Sequence, residues 1–288
     1  MTTKLDLKTN TSLAISNKTP RGWEHQVTKT SEAAEKVLIN YAPISLDELG
    51  DRALLKRMDT KYVLPIAQLL QVLENLKDQY QVLEIQGCRL NRYHNLYFDT
   101  PDFELFHQHH NQQRNRFKVR SREYVDSQMA YLEIKCKNNR GQTIKSRLKT
   151  GEFISDLSQN GNEFLAEYYP FDHQFLRPVL WNDFMRFTLV SKHVLERLTL
   201  DINLQFSNGW DQIGLPGVAV AEVKQDGFSI RSDFIQQMRT MKIQPLRFSK
   251  YCTGITRFYP QVKHNRFKPR TLFVERIIRQ GELNGHNY

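Results

Sequence analysis

The sequence predicts a mixed α+β fold dominated by antiparallel strands that close a polar, anion-binding barrel flanked by helices. The first observation is residues 114–122 read at every second position: Arg114, Arg116, Lys118, Arg120 and Arg122. Strand side chains alternate between faces, so these cations form one row, with Phe117 and Val119 central on the other face. Like charges set this close repel and need an anion to justify them. The second observation is recurrence. Residues 131–137 set Tyr131, Glu133, Lys135 and Lys137 against Leu132, Ile134 and Cys136. Residues 195–201 set Arg197, Thr199 and Asp201 against Leu198 and Leu200, and 218–224 set Glu222 and Lys224 against Ala219, Ala221 and Val223. Arg57, Asp59 and Lys61 alternate likewise with Met58, Thr60 and Tyr62. One alternating strand is ordinary in a half-wet antiparallel sheet; several that group cations with a few carboxylates are not. The third observation is a formal net charge of +10 with a pI near 9.4. It favours acidic partners: nucleic acid, anionic membrane, nucleotides or polyphosphate.

Taken in order, residues 1–40 are rich in Thr, Ser, Asn and Lys with weak periodicity, and read as a disordered leader with a short helix around 31–40. Leu46–Lys56 reads as a short amphipathic helix and Arg57–Leu64 as the first strand. Pro65 opens a helix whose stripe is Ile66, Leu69, Leu70, Val72, Leu73 and Leu76, ending near Tyr80. Strands follow at 82–86 and 89–98, then a short helix from Thr100 to Gln108 with Phe103 and Phe106 in the core. Asp99 caps that helix. Strands 114–125 and 129–138 pair as a hairpin, Asn138–Gly141 turns, and Thr143–Arg147 is a strand. Residues 150–180 are helical and partly irregular. Strands return at 181–190, 195–206 and 217–225, and Ser232–Met241 is a helix. The organisation is a leader over 1–40, one domain over 41–262 and a basic tail over 263–288.

Hydrophobic content of 40% and aromatic content of 11% over 288 residues supply a substantial core. Cys88, Cys136 and Cys252 stand far apart and give neither a disulfide framework nor a zinc site, which predicts a reducing, cytoplasmic setting. No run of about 18 apolar residues is present, and Met1–Ala14 lacks the apolar centre of a signal peptide. Nucleic acid is not an expected partner: aromatics are not interleaved with the basic rows as stacking platforms, and no recognised binding motif occurs.

Seven short motifs occur in order: Arg57-x-Asp59-x-Lys61-Tyr62, Tyr97-Phe98-Asp99-Thr100, Lys118-x-Arg120-x-Arg122-x-Tyr124, Glu133-x-Lys135, Arg197-x-Thr199-x-Asp201, Glu222-x-Lys224 and Ser249-Lys250-Tyr251. Together, over roughly residues 45–260, they resemble the VTC domain, the polyphosphate polymerase domain of the triphosphate tunnel metalloenzyme (CYTH-like) superfamily. The resemblance implies an antiparallel β-barrel forming a basic tunnel, with flanking helices. It implies that Mn²⁺ or Mg²⁺ assists transfer of the terminal phosphate of ATP onto polyphosphate. It assigns Lys61, Arg120, Arg122, Arg197 and Lys250 to catalysis, Arg57, Lys118, Lys135, Arg186, Lys224 and Ser249 to substrate, and Glu222 with Glu133 to the metal. Two alternatives stand beside it: an inorganic or nucleoside triphosphatase of the same fold, and a non-catalytic polyphosphate-binding module. Full-length polymerases of the family often work beside membrane segments, which leaves room for a membrane partner; the sequence indicates no oligomeric state.

The residue types suit that chemistry. Arg offers planar, paired donors to phosphate oxygens, and phosphoryl transfer needs positioning and charge neutralisation more than covalent help. The superfamily's Glu-x-Glu-x-Lys strand reads Arg57-x-Asp59-x-Lys61 here. A cation replaces the first acid, which points away from a two-metal site and leaves a metal fewer ligands; Asp59 and Asp201 are further oxygen donors near Glu222. Blander roles compete at several positions. Glu133 is equally the ion-pair partner of Lys135 or a nearby Arg, and Asp201 that of a basic side chain. Arg114 and Arg116 belong to the mouth or the surface. His107, His109 and His110 read as a solvated helical face rather than a zinc site.

Overall fold

The structure is a computed structural model that describes residues 23–50, 58–157, 161–227 and 229–284. Its first element lies inside the expected leader: Trp23–Leu38 forms α1, which buries Trp23, Ala34, Val37 and Leu38. The leader expected over 1–40 is therefore corrected from residue 23 onward. Most of that helix is polar and faces outward, so composition concealed the few apolar side chains that dock it. Next come β1 (Ala42–Ile44), α2 (Leu46–Gly50), β2 (Met58–Pro65) and α3 (Ile66–Leu76). α3 buries Leu69, Val72, Leu73 and Leu76, the spacing of one helical face. β3 (Tyr80–Leu83), β4 (Asn91–Asp99), α4 (Glu104–His110), β5 (Arg116–Tyr124), β6 (Met129–Lys137) and β7 (Thr143–Lys149) lead to α5 (Asn162–Tyr168). The last part runs β8 (Arg177–Ser191), β9 (Glu196–Ser207), β10 (Gln212–Gly214), β11 (Val218–Gln225), α6 (Asp233–Thr240), α7 (Lys250–Phe258) and α8 (Lys268–Asn284).

The main path of the sheet is β2-β11-β9-β8-β4-β5-β6-β7, with β3 on β8, β10 on β9 and β1 on β3. Every pair is antiparallel except β1 with β3. The sheet curls until distant strands face each other. Lys118 on β5 and Lys135 on β6 both feel the charge of Lys61 on β2, far away in strand order. Beside β2, the Leu246 N–H donates to the Lys61 carbonyl at 2.8 Å, so the segment leading into α7 covers that edge. The result is an antiparallel barrel with a basic interior and flanking helices.

Because the inner face is charged, the hydrophobic core lies outside the barrel. One layer packs Tyr62, Leu64, Leu198, Leu200, Ala221 and Val223 against side chains of α1, α3 and α6. Another packs Leu96, Phe98, Val119, Leu132 and Ile134 against Leu105 of α4 and Phe164 and Leu165 of α5. A third stoppers one end from within: Val63, Val220 and Phe206 meet Tyr251, Cys252 and Ile255 of α7 and Val274 and Ile277 of α8. The approach is close enough that a Cβ on Gly254 would lie 2.4 Å from Leu180. Each large apolar side chain buried there contributes about 1.5–3 kcal/mol. The basic tail expected over 263–288 is corrected accordingly. Its described part contains α8, anchored by two apolar side chains within a run of cations. No described helix is long and apolar enough to cross a membrane.

Candidate functional site

The inward row is built by register. On β5, Lys118, Arg120 and Arg122 stand opposite Lys135, Glu133 and Tyr131 of β6, and Glu133 in turn faces Arg147 of β7. Across the barrel, Lys61 of β2 faces Glu222 of β11, and Glu222 faces Thr199 of β9. Asp201 of β9 faces Arg186 of β8. Lys250 enters at the first turn of α7, whose start Ser249 caps by accepting from the Cys252 N–H.

Among the described residues, the inward carboxylates Glu133, Asp201 and Glu222 each sit between two cations. Glu133 accepts from Arg120 Nε at 2.7 Å and pairs with Lys145. Asp201 is gripped by both ends of the Arg186 fork, at 2.5 and 2.8 Å, and pairs with Lys250. Glu222 pairs with Lys61 and lies 3.2 Å from Lys224. Burial opposes ionisation of all three, but the adjoining cations override it and hold every carboxyl below its ordinary range.

The lysines show the reverse effect. Burial, together with the Arg186 charge, lowers Lys224 to about 7 although Glu222 works against it. Burial lowers Lys250 to about 8 against the pull of Asp201. Lys135 is also at about 8, through enclosure and the charge of Lys118, although solvent reaches it. These ammonium groups are crowded by like charge, which favours an anion beside them.

The remaining candidates are placed as follows. Lys118 Nζ donates to Ser249 Oγ at 2.9 Å and lies 5.9 Å from the Tyr251 ring centre. Arg122 donates to Asn95 Oδ1 at 2.7 Å and lies 5.2 Å over Tyr93. Arg197 shares the inner face of β9 and stands opposite Lys224. Arg57 falls outside the described residues, so the structure gives it no position. Among the described candidates the barrel brings together Lys61, Lys118, Arg120, Arg122, Glu133, Lys135, Arg186, Arg197, Glu222, Lys224, Ser249 and Lys250.

Several contributors escaped the sequence reading. Lys145 is the second partner of Glu133; its signal was the alternation of Lys145 and Arg147 within 143–147. Tyr93, Tyr97 and Asn95 line the same space as holders of arginine, with Tyr97 accepting from Arg120 at 3.3 Å. Asp99 caps α4 as expected, accepting from the N–H groups of Thr100, Leu105 and Phe106, but its further bond from the Tyr251 hydroxyl had no signal in the sequence. One carboxylate thereby ties α4 to the helix that carries Lys250. The histidines are not a solvated face, and that expectation is corrected. His110 is buried and bonds to Asn265 Oδ1 at 2.8 Å, while His109 meets the Phe117 carbonyl at 3.0 Å. Their polar atoms join α4 to neighbouring segments.

For a metal, the donor set is sparse: among the described residues no three His, Cys, Asp or Glu converge. It suits a hard divalent cation that enters with its phosphates, since such ions are held by one or two carboxylates together with phosphate oxygens and water.

Solved structures of similar fold share little sequence with this chain. A "putative adenylate cyclase" of Bacillus halodurans has 16% identity and a TM-score of 0.45, over 71% of this chain and 97% of that one. A conserved hypothetical protein of Pyrococcus furiosus has 12% identity and a TM-score of 0.41, over 68% and 99%. A "putative adenylyl cyclase" of Hippeastrum, with a dominant triphosphatase activity, has 16% identity and a TM-score of 0.39, over 69% and 95%. Curated protein sequences give no match. The motifs that line the cationic barrel lie within residues 56–259, the span matched by the VTC domain, and the chain belongs to that family.

Proposed function

We propose that the chain is a metal-dependent polyphosphate polymerase that transfers the terminal phosphate of ATP to polyphosphate within the basic barrel. The observation that carries this reading is Glu222, an inward carboxylate on a cation-lined wall, held by Lys61 and Lys224 without an arginine fork. A clamp for polyanions has no use for it; a phosphoryl-transfer site does, as the residue that would hold Mn²⁺ or Mg²⁺. When bound, the metal supplies neutralisation of charge on adjacent phosphate oxygens.

A terminal oxygen of polyphosphate attacks the γ-phosphorus of ATP, the bond from that phosphorus to the β–γ bridging oxygen breaks, and ADP leaves. Charge balances with no proton transferred, so the step needs no general base, which suits a site of cations. Arg120, Arg122, Arg197, Lys61 and Lys250 hold and neutralise the reacting phosphates. Lys118, Lys135, Arg186, Lys224 and Ser249 carry the remainder of the chain, with Arg57 as a further contact. Glu133 is better assigned to holding Arg120 than to the metal, because Arg120 and Lys145 already engage it. The setting we infer is the cytoplasm, with ATP and polyphosphate as partners.

The deciding assay supplies purified protein with ATP and Mn²⁺ or Mg²⁺ and follows long-chain polyphosphate and free phosphate separately. Polyphosphate should accumulate. Free phosphate alone would replace this reading by triphosphate hydrolysis, and no turnover would leave a binding module.

A further inference from the structure

Outside the stoppered end of the barrel, where β5 and α4 meet the start of α7 and α8, lies a cavity of about 190 Å³. Arg116, Arg247, Arg266 and Arg270 line it together with Ser249 and Cys252, and no carboxylate is among its lining residues. Four guanidiniums around so small a space repel one another unless an anion joins them. Arg247 is close enough to Arg270 to lower its guanidinium further after burial has done so. The observed bonds use few of their donors. Arg116 Nη1 donates to the Gln113 carbonyl at 2.8 Å, and Arg266 Nη1 to the His110 carbonyl at 3.5 Å. Each guanidinium carries five N–H donors, so most remain for a ligand.

Size and wall chemistry narrow the ligand. Pockets for drug-sized molecules occupy about 300–1,000 Å³, so this one is too small for a nucleotide. Forked donors from several directions match the oxygens of a phosphoryl group. The wall is braced from behind, because His110 Nε2 bonds to Asn265 just ahead of Arg266. The partition from the barrel is thin: Ser249, which lines this cavity, accepts from Lys118 of the inner row at 2.9 Å.

We propose that this cavity is a second anion site, distinct from the barrel interior, that takes one phosphoryl group, as free orthophosphate or as the end of a condensed phosphate chain. The inference stands on the cavity and not on the polymerase reading. Failure of either leaves the other intact, because the site is read by binding and the reaction by turnover.

Calorimetric titration at fixed ionic strength tests it with Arg247→Gln/Arg270→Gln beside wild type, using orthophosphate, tripolyphosphate and long-chain polyphosphate. The same pair of titrations in a Lys250→Ala background weakens the barrel and keeps the cavity visible. A site for free phosphate predicts that the double variant binds orthophosphate about tenfold more weakly while tripolyphosphate changes less than about twofold. A site for a chain end predicts the loss of about tenfold for long chains instead. Arg247→Lys/Arg270→Lys should recover part of the affinity in either case, since charge is kept and the fork is lost. Because Arg247 is exposed, its replacement leaves the core intact; an unchanged melting temperature verifies this. Orthophosphate and long-chain affinities both within about twofold of wild type in the double variant would overturn the proposal.

Discussion

Glu133 and Glu222, on opposite walls of the barrel, are held differently. On the β5–β6–β7 wall, Glu133 is 1% exposed and bonded by an arginine. Where β2, β11 and β9 face it, Glu222 is 15% exposed and held by lysines. An arginine fork is a fixed, directional partner, whereas an ammonium on a flexible stem exchanges partners readily. Asp201, with both ends of the Arg186 fork on it, belongs with Glu133. The contrast separates carboxylates fixed by arginine from one held by flexible ammonium groups, which is why the proposed metal role falls on Glu222. Identical charges in the sequence thus acquire different roles from the partner that holds them.

The sharpest way to break this distinction is to neutralise each acid in turn. Glu222→Gln should lower metal-stimulated turnover by about a hundredfold to a thousandfold, since one centre of charge organisation disappears. Its melting temperature should move little, because both freed lysines lie near solvent or near neutrality. Glu133→Gln should behave in the opposite sense, with loss of about 3 kcal/mol or more of stability as Arg120 is left buried beside an uncharged partner. Denaturant unfolding of both variants, set beside turnover at a temperature where both are folded, decides it. Equal stability losses would erase the distinction, and full metal-dependent turnover by Glu222→Gln would remove the metal assignment.

A finer cut separates affinity from support. Arg120→Ala, Arg197→Ala and Lys250→Ala should each weaken tripolyphosphate binding about tenfold, given 1.5–3 kcal/mol for a charge-assisted hydrogen bond in a partly dry site. Lys77→Ala, on the surface, should not. Arg120→Ala should also destabilise the fold, because Glu133, 1% exposed, is left with Lys145 as its one ion-pair partner, while Lys250→Ala should do so less, because Asp201 keeps both bonds of the Arg186 fork. Titration at two ionic strengths should show a shallower salt dependence than an exposed basic patch gives. Equal affinity across all four variants would mean that the rows serve another partner.

The barrel was legible in the sequence because period-2 alternation has one physical solution when both faces are covered: charged inside, apolar outside. Lys118, Arg120 and Arg122 could be assigned to one face from spacing alone, and Asp99 to a helix cap from its place before Thr100-Pro101. What stayed hidden depends on contacts between distant segments. The pairing of Glu133 with Lys145, of Asp201 with Lys250, and the link from Asp99 to Tyr251 are set by how the sheet curls, which no local pattern encodes. Helix α1 was expected only around 31–40 and α8 not at all: in α1 few apolar anchors stand within a long polar run, and in α8 the apolar side chains lie among cations that read as a tail.

The smallest predicted effect concerns protons and bears on the crowded lysines of both walls, Lys224 most of all. Lys224 lies at about 7, and Lys135 and Lys250 at about 8, against about 10.4 in the unfolded chain. Between about pH 8 and 10 the unfolded chain therefore binds more protons than the folded one, and raising the pH stabilises the fold. The gain ends near pH 10, where burial-raised phenols such as Tyr41 and Tyr80 reverse the sign. The melting temperature of the ligand-free protein should rise by a few degrees from pH 7.5 to 9.5. Bound phosphate favours the charged ammonium, so tripolyphosphate should flatten that rise and bind with proton uptake near pH 8. Calorimetry in two buffers of different ionisation enthalpy measures the uptake directly. Lys224→Met should reduce it, whereas Glu133→Gln should leave the Lys224 contribution in place, because Glu133 belongs to the other wall. An enthalpy that does not depend on buffer would mean that the lysines are fully charged before substrate arrives, and the exchangeable character assigned to the Glu222 wall would lose its physical basis.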